Sequence, residues 1–198
     1  MQCDCMAYKR PMKKLLIHYN NLGAAMKKVH LLFLLLASVL VKAKDLRWVN
    51  SYDERFHFAC PTGQSIYHII SQHKNEHEDR LWNFSCKYTL TSVSGCLSYY
   101  DVNDFDDDLN FQCPYHKVIT EIGSYHDNHH EDRRWSFTCC GGGGYCTGSC
   151  SWTSYQNNFD GPLDYIVPSG YYLVGASSYH ENKHEDRRWQ FLICSSGC

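Results

Sequence analysis

Polar and apolar positions alternate with period two in three stretches of the chain, Ser65 to Ser71, Lys117 to Tyr125 and Tyr171 to Tyr179. These stretches are rich in β-branched and aromatic residues, which suit a pleated, half-buried surface. A polar loop holding His and Asn or Asp follows each, and then a second alternating run. The second runs are one phrase written three times: His77-Glu78-Asp79-Arg80-Leu81-Trp82-Asn83-Phe84-Ser85-Cys86, His130-Glu131-Asp132-Arg133-Arg134-Trp135-Ser136-Phe137-Thr138-Cys139, and His184-Glu185-Asp186-Arg187-Arg188-Trp189-Gln190-Phe191-Leu192-Ile193-Cys194. The tryptophans lie 53 and 54 residues apart. A fixed period of this size marks one supersecondary unit built three times. Turns at Cys60-Pro61-Thr62-Gly63, Cys113-Pro114 and Val167-Pro168-Ser169-Gly170 punctuate the units. The pattern predicts strand, turn, strand in each unit. No stretch after residue 43 carries a helical period. The expected fold is all-β: three hairpin repeats, at about 48–86, 102–140 and 157–194, in one disulfide-stabilised pseudo-threefold domain, β-prism or β-trefoil-like. The segment 141–158, with Gly141 to Gly144, reads as an insertion or linker.

Strand parity assigns faces. Trp82, Phe84 and Cys86 share one side, as do Trp135, Phe137 and Cys139, and these sides are expected to form the core. Arg80, Arg133 and Arg187 have the core parity but sit at the hairpin end, where they can lie along the Trp ring or meet a carboxylate. Arg134 and Arg188 point outward, as does Asn83.

Composition narrows the compartment. Met26-Lys27-Lys28-Val29-His30, the apolar run Leu31 to Val41 and then Lys42-Ala43 read as a secretory signal peptide over 26–43, too short to span a bilayer comfortably. Residues 1–25 read as an upstream extension with no folded role, and 44–198 as the domain. That domain carries 12 Lys and Arg against 20 Asp and Glu, a formal net charge of −8. Nucleic acid is therefore not an expected partner. Ten cysteines remain after residue 43, which in a secreted chain reads as five disulfides. Each bridge contributes about 2–4 kcal/mol by restricting the unfolded chain.

Cys60 and Cys86 are 26 residues apart, and so are Cys113 and Cys139. Cys60 with Cys86 is an expected bridge within its unit. Repetition pairs Cys113 with Cys139 or its neighbour Cys140. Val167 stands where Cys60 and Cys113 stand in the other units, so Cys194 must reach elsewhere, to Cys146 or Cys150.

The triple Asp-Arg-x-Trp-x-Phe phrase, the Cys139-Cys140 doublet, Cys146 and Cys150, the abundant Tyr and the acidic balance resemble the dermatopontin family over about residues 46–198. The resemblance implies a small secreted extracellular-matrix protein without catalytic activity and without a cofactor. Its implied partners are sulfated glycosaminoglycan or proteoglycan, cell-surface receptors, and collagen or other matrix proteins, with self-association. Invertebrate relatives imply a second reading, a multivalent defence lectin or haemagglutinin that aggregates cells. The resemblance also implies bridges Cys60–Cys86, Cys96–Cys139, Cys113–Cys140, Cys146–Cys198 and Cys150–Cys194.

His-Glu-Asp-Arg invites a zinc-protease reading, but His-Glu-x-x-His needs a second histidine one helical turn on. The fifth position is Leu81, Arg134 or Arg188, and the context is a strand. Asp104, Asp106, Asp107 and Asp108 lack the Gly and distal Glu of a calcium loop, so no metal site is expected. The candidate ligand residues are Arg134 and Arg188, with Arg80, Arg133, Arg187, His77, His130 and His184. A guanidinium presents a planar fork suited to sulfate, and the histidines add charge below about pH 6.5. Asn83-Phe84-Ser85 is an N-glycosylation acceptor triplet.

Overall fold

The computed structural model describes residues 47–143 and 145–197. The expected signal peptide and upstream extension lie outside the described residues, as does Cys198. Within them the chain is all-β, with eleven strands and no helix. Three long hairpins carry the three repeats. They are β2 (Gln64–Lys74) with β3 (Asp79–Tyr88), β6 (Val118–Asp127) with β7 (Asp132–Gly141), and β10 (Tyr171–Glu181) with β11 (Asp186–Ser196). Each hairpin has a bulge at the same repeat position, between Ile66 and His68, Ile119 and Glu121, and Leu173 and Gly175. At the third, a Cβ on Gly175 would lie 2.6 Å from the Phe111 carbonyl oxygen, so the close approach of the neighbouring strand requires glycine there.

Short strands link the repeats in a cycle. The opening strand of each unit pairs with the hairpin of the next: β1 (Phe56–Ala59) with β6, β5 (Leu109–Gln112) with β10, and β9 (Leu163–Ile166) back with β2. The three resulting sheets run β3-β2-β9, β1-β6-β7-β4 and β5-β10-β11-β8. This cyclic exchange is compatible with the prism-like form of the expected fold. The outer strands β4 (Ser94–Tyr99) and β8 (Thr147–Trp152) lie along β7 and β11. The segment 141–158 is thus not simply a linker, because β8 runs through its middle.

The core follows the parity reading. Trp82, Trp135 and Trp189 are each 2% exposed and meet edge to face in a closed triangle, with centroids 4.9, 4.8 and 5.5 Å apart. This is the packing that the ring quadrupole favours. Phe84, Phe137 and Phe191 lie beneath, with Ile69, Ile122 and Ala176 from the facing strands. Asn50, Asn103 and Asn157 lock each tryptophan backbone. Each amide oxygen accepts from the Trp N–H at 2.8–3.0 Å. Each amide nitrogen donates to the carbonyl of Arg80, Arg133 or Arg187.

The disulfides correct the pairing implied by the family resemblance. Cys60–Cys86 and Cys150–Cys194 are present, but Cys113 joins Cys139 and Cys96 joins Cys140. Parity explains the exchange. Cys139 shares the face of Trp135 and Phe137 and meets Cys113 in the main core. Cys140 points the opposite way, into a second cluster with Val118, Val174 and Leu192, on the side where β4 brings Cys96. The repeats then match. Two bridges span 26 residues with Cα atoms 5.7 Å apart, and two span 44 residues with Cα atoms 4.1 and 4.0 Å apart. In the third unit the buried pair Val167 and Ile193 replaces the first type. Cys146 is also disulfide-bonded, and its expected partner, Cys198, lies outside the described residues.

Candidate binding surface and axial cluster

The repeated phrase begins at the hairpin tip. Glu78, Glu131 and Glu185 adopt left-handed φ values of 47°, 44° and 44°, a conformation disfavoured for residues with a Cβ by about 1–2 kcal/mol. The turn delivers the next residue, Asp79, Asp132 or Asp186, into the interior, where each is 4% exposed.

There the carboxylates meet arginines of a different repeat. Arg80 donates through Nε and Nη2 to Asp186 at 2.5 and 2.7 Å, Arg133 to Asp79 at 2.6 and 2.6 Å, and Arg187 to Asp132 at 2.6 and 2.5 Å. The three bidentate pairs close a ring. Each carboxylate also accepts a backbone N–H, from Asp53, Asp106 or Asp160. Each Nη2 also donates to a carbonyl, of Gly161, Glu54 or Asp107. Arg80, Arg133 and Arg187 are each 4% exposed. Their charge is consumed inside the frame, so of the two positions open to them at the hairpin end they take the carboxylate.

Three histidines complete the ring, and they are not the histidines singled out from the sequence. His73, His126 and His180 recur at 53 and 54 residues, and their side chains are 0–1% exposed. Each has a carboxylate at both ring nitrogens. His73 faces Asp186 at 3.5 Å and Asp160 at 3.7 Å, His126 faces Asp53 at 3.9 Å and Glu131 at 3.7 Å, and His180 faces Asp132 at 3.3 Å and Glu185 at 3.2 Å. Burial works against the charged form of all such rings. At His73 burial wins, opposed by Asp186, and the pKa is lowered. At His180 burial is outweighed by Asp132 and Glu185, and the pKa is raised. Burial likewise opposes ionisation of Asp132, but hydrogen bonds and charge from His180 and Arg187 hold that carboxyl well below the usual range. The equal spacing of His73, His126 and His180, and of Asn50, Asn103 and Asn157, was the signal that could have found them.

Glu78, Glu131 and Glu185 line a cavity of about 20 Å³ above the Asp–Arg ring and the tryptophan triangle, room for one water molecule. Burial first, then repulsion from Glu78 and Glu185, lifts the Glu131 carboxyl. Asp53, Asp79 and His126 are close enough to share a metal ion. Asp79, however, already accepts from Arg133 and from the Asp53 N–H, and a guanidinium in contact repels a second cation.

The outward residues differ between repeats. His77 stacks on Tyr52 at 4.3 Å, His130 on Phe105 at 4.9 Å and His184 on Phe159 at 4.8 Å. His130 and His184 also bond Asp106 and Asp160 at 3.0 Å, and the Asp106 hydrogen bond raises the His130 pKa. Arg134 donates to the Asn103 carbonyl at 2.9 Å and to Asp104 at 2.6 Å, with its guanidinium over Phe105. Arg188 donates to the Asn157 carbonyl at 3.1 Å and the Tyr179 hydroxyl at 3.3 Å, between the rings of Tyr155 and Phe159. Leu81 fills this place in the first repeat. Asn83 is half-buried on β3, which has no outer partner strand among the described residues. No helix of the described residues is long and apolar enough to cross a membrane.

Comparison with known proteins agrees over this region. The family described as Dermatopontin matches residues 50–198. A hemagglutinin/amebocyte aggregation factor of Limulus polyphemus is 47% identical over 74% of this chain and 86% of its own length. A dermatopontin of Biomphalaria glabrata is 39% identical over 74% of this chain and 99% of its own. The dermatopontin of Homo sapiens is 30% identical over 76% of this chain and 77% of its own. No solved structure matches.

Proposed function

The chain belongs to the dermatopontin family, and we propose that it is a secreted extracellular-matrix and adhesion protein, without enzymatic activity, that binds sulfated glycosaminoglycan or proteoglycan, cell surfaces and collagen-type matrix. The family match over nearly the whole described chain carries this reading. The site geometry supports it. The Asp and Arg of the repeated phrase that point inward, together with His73, His126 and His180, are spent on joining the repeats, and the outward guanidinium of Arg188 sits against aromatic rings. Such an arrangement suits recognition of oxyanions on a sugar chain. At least four disulfides staple the frame, which suits an oxidising, extracellular setting.

A second reading, a multivalent lectin that aggregates cells, draws on the 47% identity to the aggregation factor. Repeated sites would raise avidity without any new contact. Agglutination of cells by the secreted, oxidised protein separates the two. Inhibition only by a sulfated polymer supports the matrix reading, and inhibition by simple monosaccharides supports the lectin. Absence of binding to sulfated polymers and cells alike contradicts both.

A further inference from the structure

The three repeats share a frame but not a surface. Following the strand that leaves the buried Arg, the outward position holds Leu81, Arg134 or Arg188. The residue after the locking asparagine holds Ser51, Asp104 or Asn158. In the second repeat these two positions form an ion pair of 2.6 Å. In the first there is no cation. In the third the acid is replaced by an amide, and among the described residues no carboxylate lies within ion-pairing distance of Arg188.

Arg188 is nonetheless held firmly. Nε is bonded to the Asn157 carbonyl and Nη1 to the Tyr179 hydroxyl. The guanidinium lies 4.8 Å from the Tyr155 ring centroid and 5.9 Å from that of Phe159. Such a side chain has little rotamer freedom left to lose on binding, which favours affinity. Tyr155 is 40% exposed, so an aromatic face and a fixed, uncompensated fork lie side by side. The oxyanion would take up the donor capacity that Asp104 takes from Arg134, and the tyrosine face would pack against the C–H face of the sugar ring.

We propose that Arg188, with Tyr155 and Tyr179, forms the single primary site for a sulfated saccharide, and that the same position in the second repeat is silenced by Asp104. The inference rests on the glycan-binding reading above and assigns that activity to one repeat of the three.

The test exchanges the two repeats. The exposed Asn158 uses only its backbone oxygen in hydrogen bonds among the described residues, so Asn158→Asp adds an acid while leaving the frame intact. Binding of the full secreted chain to immobilised heparin is measured for the wild type, Arg188→Ala, Asn158→Asp, Arg134→Ala and Asp104→Asn. Arg188→Ala and Asn158→Asp should each weaken binding about tenfold, the usual scale for one charge-assisted contact. Arg134→Ala should leave it unchanged, and Asp104→Asn should strengthen it by opening a second site. Wild-type binding that survives both third-repeat variants, or that Arg134→Ala weakens equally, overturns the assignment to Arg188. Failure of the wild type to bind heparin, dermatan sulfate or any other sulfated polymer overturns the glycan-binding reading itself, and the assignment with it.

Discussion

Asp79 of the first repeat grips Arg133 of the second through two hydrogen bonds of 2.6 Å, while its own sequence neighbour, Arg80, is gripped by Asp186 of the third. The dipeptide Asp-Arg therefore never pairs with itself. Each copy passes its acid to one neighbouring repeat and its base to the other, as the short strands β1, β5 and β9 pass from unit to unit. Local sequence identity is converted into long-range closure.

Neighbouring arginines should then behave very differently. Arg133→Leu leaves Asp79 buried and uncompensated and should destabilise the domain by about 3–5 kcal/mol. Arg134→Ala removes a partly exposed pair and should cost under about 1 kcal/mol. Urea unfolding of the oxidised protein, followed by tryptophan fluorescence, measures both. Similar losses for the two variants would contradict the buried ring.

Stability should depend on pH through opposing histidines. The raised pKa of His180 means that its contribution is fully present below the unfolded value of about 6.5 and is lost as pH rises through the folded value. The lowered pKa of His73 gives the opposite sense: its neutral ring contributes above about 6.5, and that contribution is lost as pH falls through the folded value. Thermal melts at pH 5.5 and pH 8 should show His180→Gln losing more relative to the wild type at the acid end, and His73→Gln losing more at the alkaline end. Parallel shifts for both variants would contradict the assigned environments.

The cysteine doublet gives a covalent test. Cys96→Ser with Cys140→Ser removes one complete bridge and should yield secreted protein without a free thiol. Cys96→Ser with Cys139→Ser orphans Cys113 and Cys140, which lie in opposite clusters, and should give free thiols. Thiol labelling with mass mapping reads the difference. A clean result for the second pair and scrambling for the first would restore the pairing implied by the family resemblance.

Much of this was legible in the chain, and the limits were physical. Period-two alternation gave the hairpins, and parity gave the faces of Trp82, Trp135 and Cys139 because a strand fixes side-chain direction residue by residue. Resemblance to the family carried the wrong choice at Cys139 and Cys140, whereas repetition had left Cys139 open as the partner of Cys113. Buried His73, His126 and His180 escaped because a histidine within an alternating strand looks like any polar position; His77, His130 and His184 share their spacing, and only strand parity with Ile69, Ile122 and Ala176 separates the two sets. What the sequence could not show was which repeat each Arg would meet. That pairing spans 54, 55 and 106 residues and follows from the cyclic exchange of strands, a property of topology rather than of local pattern.

Double-mutant cycles on the Asp–Arg ring probe that topology most directly. The structure predicts strong coupling between Asp79 and Arg133, between Asp132 and Arg187, and between Asp186 and Arg80, each variant unfolding with far less than the sum of its single losses. It predicts much weaker coupling between Asp79 and Arg80, adjacent in the chain but held by different partners. The reverse outcome, with the sequence neighbours coupled and the cross-repeat pairs additive, would mean that the three units do not close on one another.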